Sequence, residues 1–316
     1  MSKTGGQINI ETAPVEGALV GAVTPKLSAL DERAPRSQGA RLIDIGVNLT
    51  SPRFEADRAE VLARASEAGL EALIITGVDV ESSARALELC LEQRAHPARL
   101  DEPTLYSTAG VHPHDSGALK PDDLQRLHAL HKAHPSLIVA VGECGLDYDR
   151  DYSPRAAQRA CFEAQLALAV ELQRPLFLHE RAAHEDFYAM LKEAGAEVCE
   201  RAVVHCFTGS ERSLRRYLEL GCSIGITGWL CDERRGGELR ELAPLIPLNR
   251  LLVETDAPYL TPRSLRPKPK KGRNEPAALP HVVATLAALR GEPLERVWRE
   301  STHNATRLFQ LPLGSA

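Results

Sequence analysis

Eight short apolar runs rich in β-branched residues recur along the chain, and segments with helical periodicity separate them. Strands that are apolar on both faces and alternate with helices are typical of a parallel sheet covered by helices, so we predict an α/β fold. The predicted strands are 42–47, 72–76, 105–109, 137–141, 175–178, 202–204, 222–226 and 251–253.

The main alternative within this class is an open doubly wound sheet. Such a sheet would carry a glycine-rich phosphate loop after its first strand, whereas Asp44-Ile-Gly46-Val-Asn48 is followed by no GxGxxG pattern. A closed barrel of roughly 250 residues also folds as one unit. We therefore predict a (β/α)8 TIM barrel over residues 41–316, with closing helices at 279–289 and 294–308.

The first 40 residues differ from the rest of the chain. They are rich in Gly, Pro, Ser and Ala, carry mixed charges, and contain no aromatic residue. Such a segment buries too little apolar surface to offset the entropy of ordering it. We predict that residues 1–40 are a disordered N-terminal extension; a binding arm is the alternative.

Composition limits the classes of function. Hydrophobic residues make up 43% of the chain and charged residues 26%, which excludes a fibrous protein. No apolar run reaches the roughly 18 residues that a membrane helix needs. Seven cysteines are dispersed without a CxxC pair, which is typical of reduced thiols. We expect a monomer in the cytoplasm that contacts no membrane.

Four metal-binding side chains follow predicted strands: Glu143, His179, His205 and Asp256. Because the carboxyl ends of barrel strands meet on one face, residues far apart in sequence could share one ion there. Two imidazoles and two carboxylates suit a borderline or hard divalent ion such as Zn²⁺, Mn²⁺ or Mg²⁺. Such an ion acidifies bound water, so the pattern indicates a metallohydrolase.

Further polar residues lie near the same predicted face. His112-Pro-His114 follows the third strand, and its imidazoles suit substrate binding or proton transfer. Basic side chains that could bind phosphate follow the fifth, seventh and eighth strands. They are Arg181, Arg234, Arg235, Lys268, Lys270, Lys271 and Arg273. Trp229 suits base stacking or packing, Asp149 suits a surface turn, and the role of Asp147 stays open.

Several motifs resemble the TatD family of metal-dependent deoxyribonucleases, and in particular its bacterial branch. The resemblance covers about residues 42–311. The motifs are DIGVNLT at 44–50, GVHPH at 110–114, GECGLD at 142–147, VHCFTG at 204–209, GITGWLCDERRG at 225–236, ETDAPYL at 254–260 and RNEP at 273–276.

The resemblance implies a TIM-barrel exonuclease that acts 3′ to 5′ on single-stranded DNA and RNA, usually with Mg²⁺, in DNA repair and RNA turnover. It implies that Glu143, His179, His205 and Asp256 bind the metal, that Glu143 and Asp256 are catalytic, and that Asp256 orients or deprotonates the attacking water. His112, His114, Arg181, Arg234, Arg235 and Arg273 are then the predicted substrate-binding residues.

The chain departs from the broader family after its first strand. Many relatives carry His-x-His there, and this chain has Gly46 and Asn48. A one-metal site, or a weakly held second ion bridged by Glu143, is therefore the prediction.

Two other classes of function stay open. A barrel hydrolase of a carbonyl ester or amide, including an aminoacyl-tRNA ester, would use the same metal ligands. A nucleic-acid-binding scaffold with a decayed metal site would not need all four ligands. The fold alone does not separate these functions.

Overall fold

The computed structural model describes residues 41–96 and 102–312, in which strands and helices alternate. The strands are β1 (Leu42–Val47), β2 (Leu70–Ile75), β3 (Thr104–Ala109), β4 (Ile138–Asp147), β5 (Leu176–Arg181), β6 (Ala202–Val204), β7 (Ser223–Ile226) and β8 (Leu251–Val253). The helices are α1 (Arg58–Glu67), α2 (Val80–Ala95), α3 (Asp123–Ala133), α4 (Arg155–Leu172), α5 (His184–Ala194), α6 (Ala196–Glu200), α7 (Glu211–Glu219), α8 (Gly237–Leu242), α9 (Leu279–Arg290) and α10 (Leu294–Phe309).

The strands form one parallel sheet in the order β1 to β8. Residues just beyond β8 connect the sheet back to β1. The backbone N–H of Asp256 donates to the Gly46 carbonyl at 2.9 Å, and that of Asn48 donates to the Ala257 carbonyl at 2.7 Å. The predicted α/β fold with a (β/α)8 barrel is confirmed. The predicted extension at 1–40 lies outside the described residues, so the boundary at residue 40 stays a prediction.

The core has two layers because successive side chains of a strand point to opposite faces of the sheet. The larger layer lies between the strands and the surrounding helices. The smaller one contains strand residues such as Ile45, Tyr106 and Phe177, together with Leu308 and Phe309 of α10. The Thr302 hydroxyl donates to the Arg41 carbonyl, so α10 lies at the amino end of the barrel. The opposite end is therefore left for the site.

The fourth and fifth strands are longer than the sequence predicts. Glu143 and His179 lie within β4 and β5 rather than after them. Gly142 and Gly145 have φ angles of 135° and 143°, and a Cβ atom at either position would collide with a carbonyl of β5. The glycines therefore allow the two backbones to approach closely and to continue pairing where the sequence predicts a loop.

Both predicted closing helices are present, as α9 and α10, with bounds within one residue of the prediction. Along the parts of the chain that the structure describes, none of the helices combines the length and the apolar character needed to cross a membrane. All seven cysteines are free thiols.

Candidate active site

A cleft of about 740 Å³ opens at the carboxyl ends of the strands. The loops after β1, β3, β6 and β8 contribute to its wall together with β4 and β5. All four predicted metal ligands line it, so residues that are more than 100 positions apart in sequence share one site. The residues at its centre are Asn48, His112, Glu143, His179, His205 and Asp256.

Three imidazoles converge on one carboxylate oxygen. Oε1 of Glu143 lies 2.7 Å from Nε2 of His205, 2.9 Å from Nδ1 of His179, and 3.4 Å from Nε2 of His112. Burial by itself raises the pKa of Glu143. The charge of His205 and the imidazole hydrogen bonds outweigh burial and hold that pKa well below its usual range, so Glu143 is ionised.

The imidazoles differ in their protonation. Burial lowers the pKa of His112 to about 4, so its ring is neutral at physiological pH. Burial by itself lowers the pKa values of His179 and His205. The carboxylates of Asp147 and Glu143, which accept hydrogen bonds from His179, raise the pKa of that residue above its usual value, and the charges of Glu143 and Glu254 do the same for His205. A metal that binds these nitrogens must displace their protons, so metal affinity rises with pH.

The donor set fits a divalent metal ion. Donor atoms of His112, Glu143 and His179 lie within 4.8 Å of one another. Nδ1 of His179 and Nε2 of His205 lie 2.9 and 2.7 Å from the same Glu143 oxygen. Imidazole nitrogens and a carboxylate that face one another in this way are a donor set that divalent ions bind. His112, which the sequence predicts to bind substrate, is therefore placed among the possible ligands.

Asp256 lines the same cleft. Its carboxylate accepts a hydrogen bond from the side-chain amide of Asn48 at 2.9 Å, and burial raises its pKa to about 7. Its backbone is left-handed, with φ of 51°, a conformation that residues other than glycine rarely adopt. The backbone hydrogen bond to Gly46 holds Asp256 in this conformation.

Glu254 is a site residue that sequence reasoning missed. Its carboxyl is fully buried, accepts the backbone N–H of Cys206 at 2.6 Å, and lies 3.4 Å from Nδ1 of His205. A Cβ atom at Gly46 would collide with this carboxyl, and one at Gly225 would lie 2.8 Å from it. Gly46 therefore makes room for a carboxylate that orients His205. The sequence feature that could have identified Glu254 as a site residue is its position two residues before the predicted ligand Asp256.

Asp147, whose role the sequence left open, is a buried partner of two imidazoles. Its Oδ2 lies 2.7 Å from Nε2 of His114 and 3.5 Å from Nε2 of His179. Burial raises its pKa, but hydrogen bonds from His179 and from the Arg150 backbone hold it below the usual range. Asp147 thus fixes His114 at the rim of the cleft. Asp149 is exposed, as predicted.

The predicted phosphate-binding arginines occupy different positions. Arg181 lines the cleft, and its Nε lies 3.0 Å from Asp149. Arg234 and Arg235 follow β7 beside Asp232, outside the lining of this cleft.

Arg273 also lies outside the lining of the cleft. Its guanidinium donates to both carboxylate oxygens of Asp57, at 2.7 and 2.6 Å, and to Glu275 at 2.7 Å. Its predicted substrate contact stays a prediction.

Comparisons with known proteins identify close relatives. The family model for TatD related DNase matches residues 43–310. Proteins named 3′-5′ ssDNA/RNA exonuclease TatD from Pectobacterium parmentieri and Citrobacter rodentium are each 48% identical to the chain. The alignments cover 85% and 87% of this chain, respectively, and 100% of each relative.

Solved structures show the same likeness. The crystal structure of a TatD homologue from Escherichia coli K12 has 30% identity and a TM-score of 0.77, covering 87% of this chain and 100% of that one. A TatD family hydrolase from Entamoeba histolytica has 27% identity and a TM-score of 0.77, covering 86% of this chain and 99% of that one.

Proposed function

Since the chain belongs to the TatD related DNase family, we propose that it is a metal-dependent exonuclease that removes nucleotides from the 3′ end of single-stranded DNA and RNA. The convergence of three imidazoles on the buried Glu143 carboxylate, within an open cleft, is the observation that carries the proposal. The names and full-length coverage of the bacterial relatives support the choice of substrate.

Glu143, His179, His205 and Asp256 are the proposed ligands, and His112 is close enough to join them. A divalent ion held there would supply positive charge for a nonbridging phosphate oxygen and would lower the pKa of a water molecule. Asp256 would orient that water and accept its proton, since its carboxylate lines the cleft and is held by the Asn48 side-chain amide at 2.9 Å. The water would attack phosphorus in line, and the bond from phosphorus to the 3′ oxygen of the preceding nucleotide would break. That oxygen takes up a proton, and the 3′-terminal nucleotide is released as a 5′-monophosphate.

The remaining polar groups of the cleft position the substrate. His114, held by Asp147, and Arg181, paired with exposed Asp149, face the cleft where phosphate oxygens would lie. Glu254 keeps the His205 ring in place from the other side. Each of these groups holds a charge or a hydrogen-bond donor in a fixed position before substrate arrives, which lowers the cost of reorganisation in the reaction.

We also propose the finer assignments that the family resemblance suggests. The ion is Mg²⁺, although imidazole ligands bind Mn²⁺ and Zn²⁺ more tightly in general. The protein acts as a monomer in the cytoplasm, in DNA repair and RNA turnover. Light scattering of the purified protein at several concentrations tests the monomer, since a mass above 34.5 kDa would contradict it.

The polarity of digestion tests the function. A 5′-labelled single-stranded oligonucleotide should shorten progressively with Mg²⁺, and the same strand with phosphorothioate linkages at its 3′ end should resist. Phosphorothioates placed at the 5′ end instead are the matched control and should not slow the first cleavages. Hydrolysis of an aminoacyl ester, with the phosphodiester strand left intact, would support the carbonyl-ester alternative instead.

A further inference from the structure

A second cleft of about 300 Å³ adjoins the catalytic cleft and is built by the loops after β1, β7 and β8. Trp229, Tyr259 and Leu260 line both clefts, so the two are continuous. Three arginines line the second cleft, which we call the arginine cleft. They are Arg53, Arg235 and Arg263.

The charge of the arginine cleft is mostly unbalanced. Asp232 is buried, and its carboxylate lies 3.1 Å from Nε of Arg235, 3.5 Å from Nε of Arg263, and 3.7 Å from Nε of Arg234. Asp232 is therefore the one carboxylate among the residues that line the cleft, against the three arginines of that lining. Among the described residues, the terminal amino groups of Arg235 and Arg263 have no hydrogen-bond partner, and both side chains are exposed. These donors are available to an anion.

The wall shared by the two clefts is closely packed. A Cβ atom at Gly228 would collide with the Leu260 carbonyl, so the loop after β7 packs directly on the loop after β8. Within the first loop, the Asp232 N–H donates to Trp229 at 3.0 Å, and the Gly236 N–H donates to Asp232 at 2.7 Å. The backbone that carries Trp229 and Arg235 is thus held by hydrogen bonds within its own loop, and Nε of Arg235 donates to Asp232 at 3.1 Å.

Aromatic side chains accompany the charge. The Arg235 guanidinium lies over the Trp229 ring, 4.4 Å from its centre. Tyr259 is 53% exposed, although large apolar side chains are otherwise mostly buried in the described chain. Aromatic rings and guanidinium planes both stack on nucleobases regardless of sequence. The arginine cleft therefore offers phosphate donors and stacking surfaces together.

We propose that the arginine cleft binds the stretch of single-stranded nucleic acid immediately 5′ of the nucleotide being removed, with phosphates on Arg235 and Arg263 and a base against Trp229 or Tyr259. This inference rests on the proposed function. An exonuclease substrate has one nucleotide on the 3′ side of the scissile bond and a run of phosphates on the 5′ side. A cluster of arginines suits the 5′ side, and it makes the enzyme favour substrates longer than a dinucleotide.

Binding without catalysis is the direct test. Fluorescein-labelled oligothymidylates of two, four and eight nucleotides are titrated in EDTA against the wild-type protein, Arg235→Ala, Arg263→Ala, Tyr259→Leu and Tyr259→Phe. Wild type should bind the octamer at least ~10-fold more tightly than the dimer, and each arginine variant should lose most of that gain. Tyr259→Leu should weaken octamer binding about tenfold, and Tyr259→Phe should restore it.

Salt dependence and a control complete the binding test. The slope of log affinity against log salt concentration for the octamer should fall by about 0.7 for each arginine removed. Arg296→Ala changes an exposed arginine of α10 that is also paired to one carboxylate, Glu292, and it should leave affinity and slope unchanged. Equal octamer affinities for wild type, Arg235→Ala and Arg263→Ala would overturn the proposal.

Measurements of cleavage rate distinguish a failure of the arginine-cleft proposal from a failure of the proposed exonuclease function. With Mg²⁺, the ratio of kcat/KM for the octamer to that for the dinucleotide should exceed ~10 for wild type and fall toward one in Arg263→Ala. An unchanged ratio in that variant would contradict the subsite. A wild-type protein that shows the length-dependent binding but cleaves neither strand would contradict the exonuclease and leave the arginine cleft as a strand-binding site.

Discussion

At the scale of single residues, the site is organised around one carboxylate oxygen of Glu143 and the imidazoles of His112, His179 and His205. Glu143→Gln keeps the volume of the side chain but removes its charge and replaces one acceptor oxygen with a donor. We expect kcat/KM with Mg²⁺ to fall at least ~100-fold, because a neutral amide holds a divalent ion weakly. Steady-state kinetics on a labelled strand measures the loss.

Circular dichroism should show that Glu143→Gln is folded. Glu163→Gln is the matched control, since Glu163 is an exposed carboxylate of α4 that lines neither cleft, and its kcat/KM should stay within about twofold. Equal activity in Glu143→Gln and wild type would remove Glu143 from the site.

Gly46 leads to a second prediction at this scale. Its missing side chain leaves space for Glu254, and a Cβ atom there would also lie 2.9 Å from the Phe177 ring. Gly46→Ala should lower the free energy of unfolding by about 1–3 kcal/mol through overpacking and should reduce activity by displacing Glu254 from His205. Urea unfolding and kinetics measure the two effects.

Gly237→Ala is the control for Gly46→Ala. A Cβ atom at Gly237 meets no atom within 4 Å, so stability should change by no more than about 0.5 kcal/mol. If Gly46→Ala were as stable and as active as Gly237→Ala, the close packing of β1 against Glu254 would be refuted.

The residue scale also shows what sequence can and cannot predict. Glu143, His179, His205 and Asp256 were placed in one cleft because barrel strands end on one face. Glu254 was missed because the space that buries it comes from Gly46 and Gly225 on other strands. A one-dimensional pattern does not show which glycine faces which carboxylate.

At the scale of elements, the eight strands were predictable because each is a short apolar run between polar turns. The ends of β4 and β5 were not predictable. Glycines such as Gly142 and Gly145 usually indicate a loop, and their role in close strand packing depends on which strand lies beside them. The ion pairs of Arg273 were also not predictable from the sequence. The sequence places Arg273 in a basic segment, whereas its partner Asp57 precedes α1, more than 200 residues earlier.

This ion pair leads to a prediction about pH. The hydrogen bond from Arg273 lowers the pKa of Asp57 in the folded state, so the carboxylate stabilises the fold above its unfolded pKa of about 3.9. That stability is lost as the pH falls through the folded pKa. Arg273→Ala should lower the free energy of unfolding at pH 7, and the difference from wild type should narrow below about pH 4. Urea unfolding at pH 7, 5 and 3 measures it.

Arg296→Ala again serves as the control, because exposed ion pairs of this kind contribute less than about 1 kcal/mol. A substrate role for Arg273 would give a different result. Unchanged stability in Arg273→Ala, together with weaker and less salt-dependent strand binding, would show that Arg273 binds phosphate as the sequence suggests.

At the scale of the whole molecule, a chain with a net charge of −5 places four of its eleven histidines and several arginines at one end of the barrel. α10 packs at the other end. The proposed metal ligands come from β4, from β5 and from the loops after β6 and β8. Because one ion would join these four parts of the barrel, metal binding should raise the free energy of unfolding of the whole fold. Ion binding to the folded state alone stabilises it by about 2.7 kcal/mol at 100 times Kd.

Thermal unfolding measures that linkage. Tm should rise with Mg²⁺ or Mn²⁺ and return to the apo value with EDTA, and His179→Ala should remove most of the rise. His128→Ala changes a histidine on α3, far from the cleft in the fold, and should retain the full rise. A Tm that does not respond to any divalent ion would contradict the metal site.

The most direct test of the central claim is digestion of 5′-labelled single-stranded DNA by the wild-type protein, His205→Ala and Asp256→Asn, with Mg²⁺, Mn²⁺ or EDTA. We predict a ladder that shortens from the 3′ end only when a divalent ion is present, and that is absent in both variants. Equal digestion by the variants, or digestion in EDTA, would show that the reaction does not use this site.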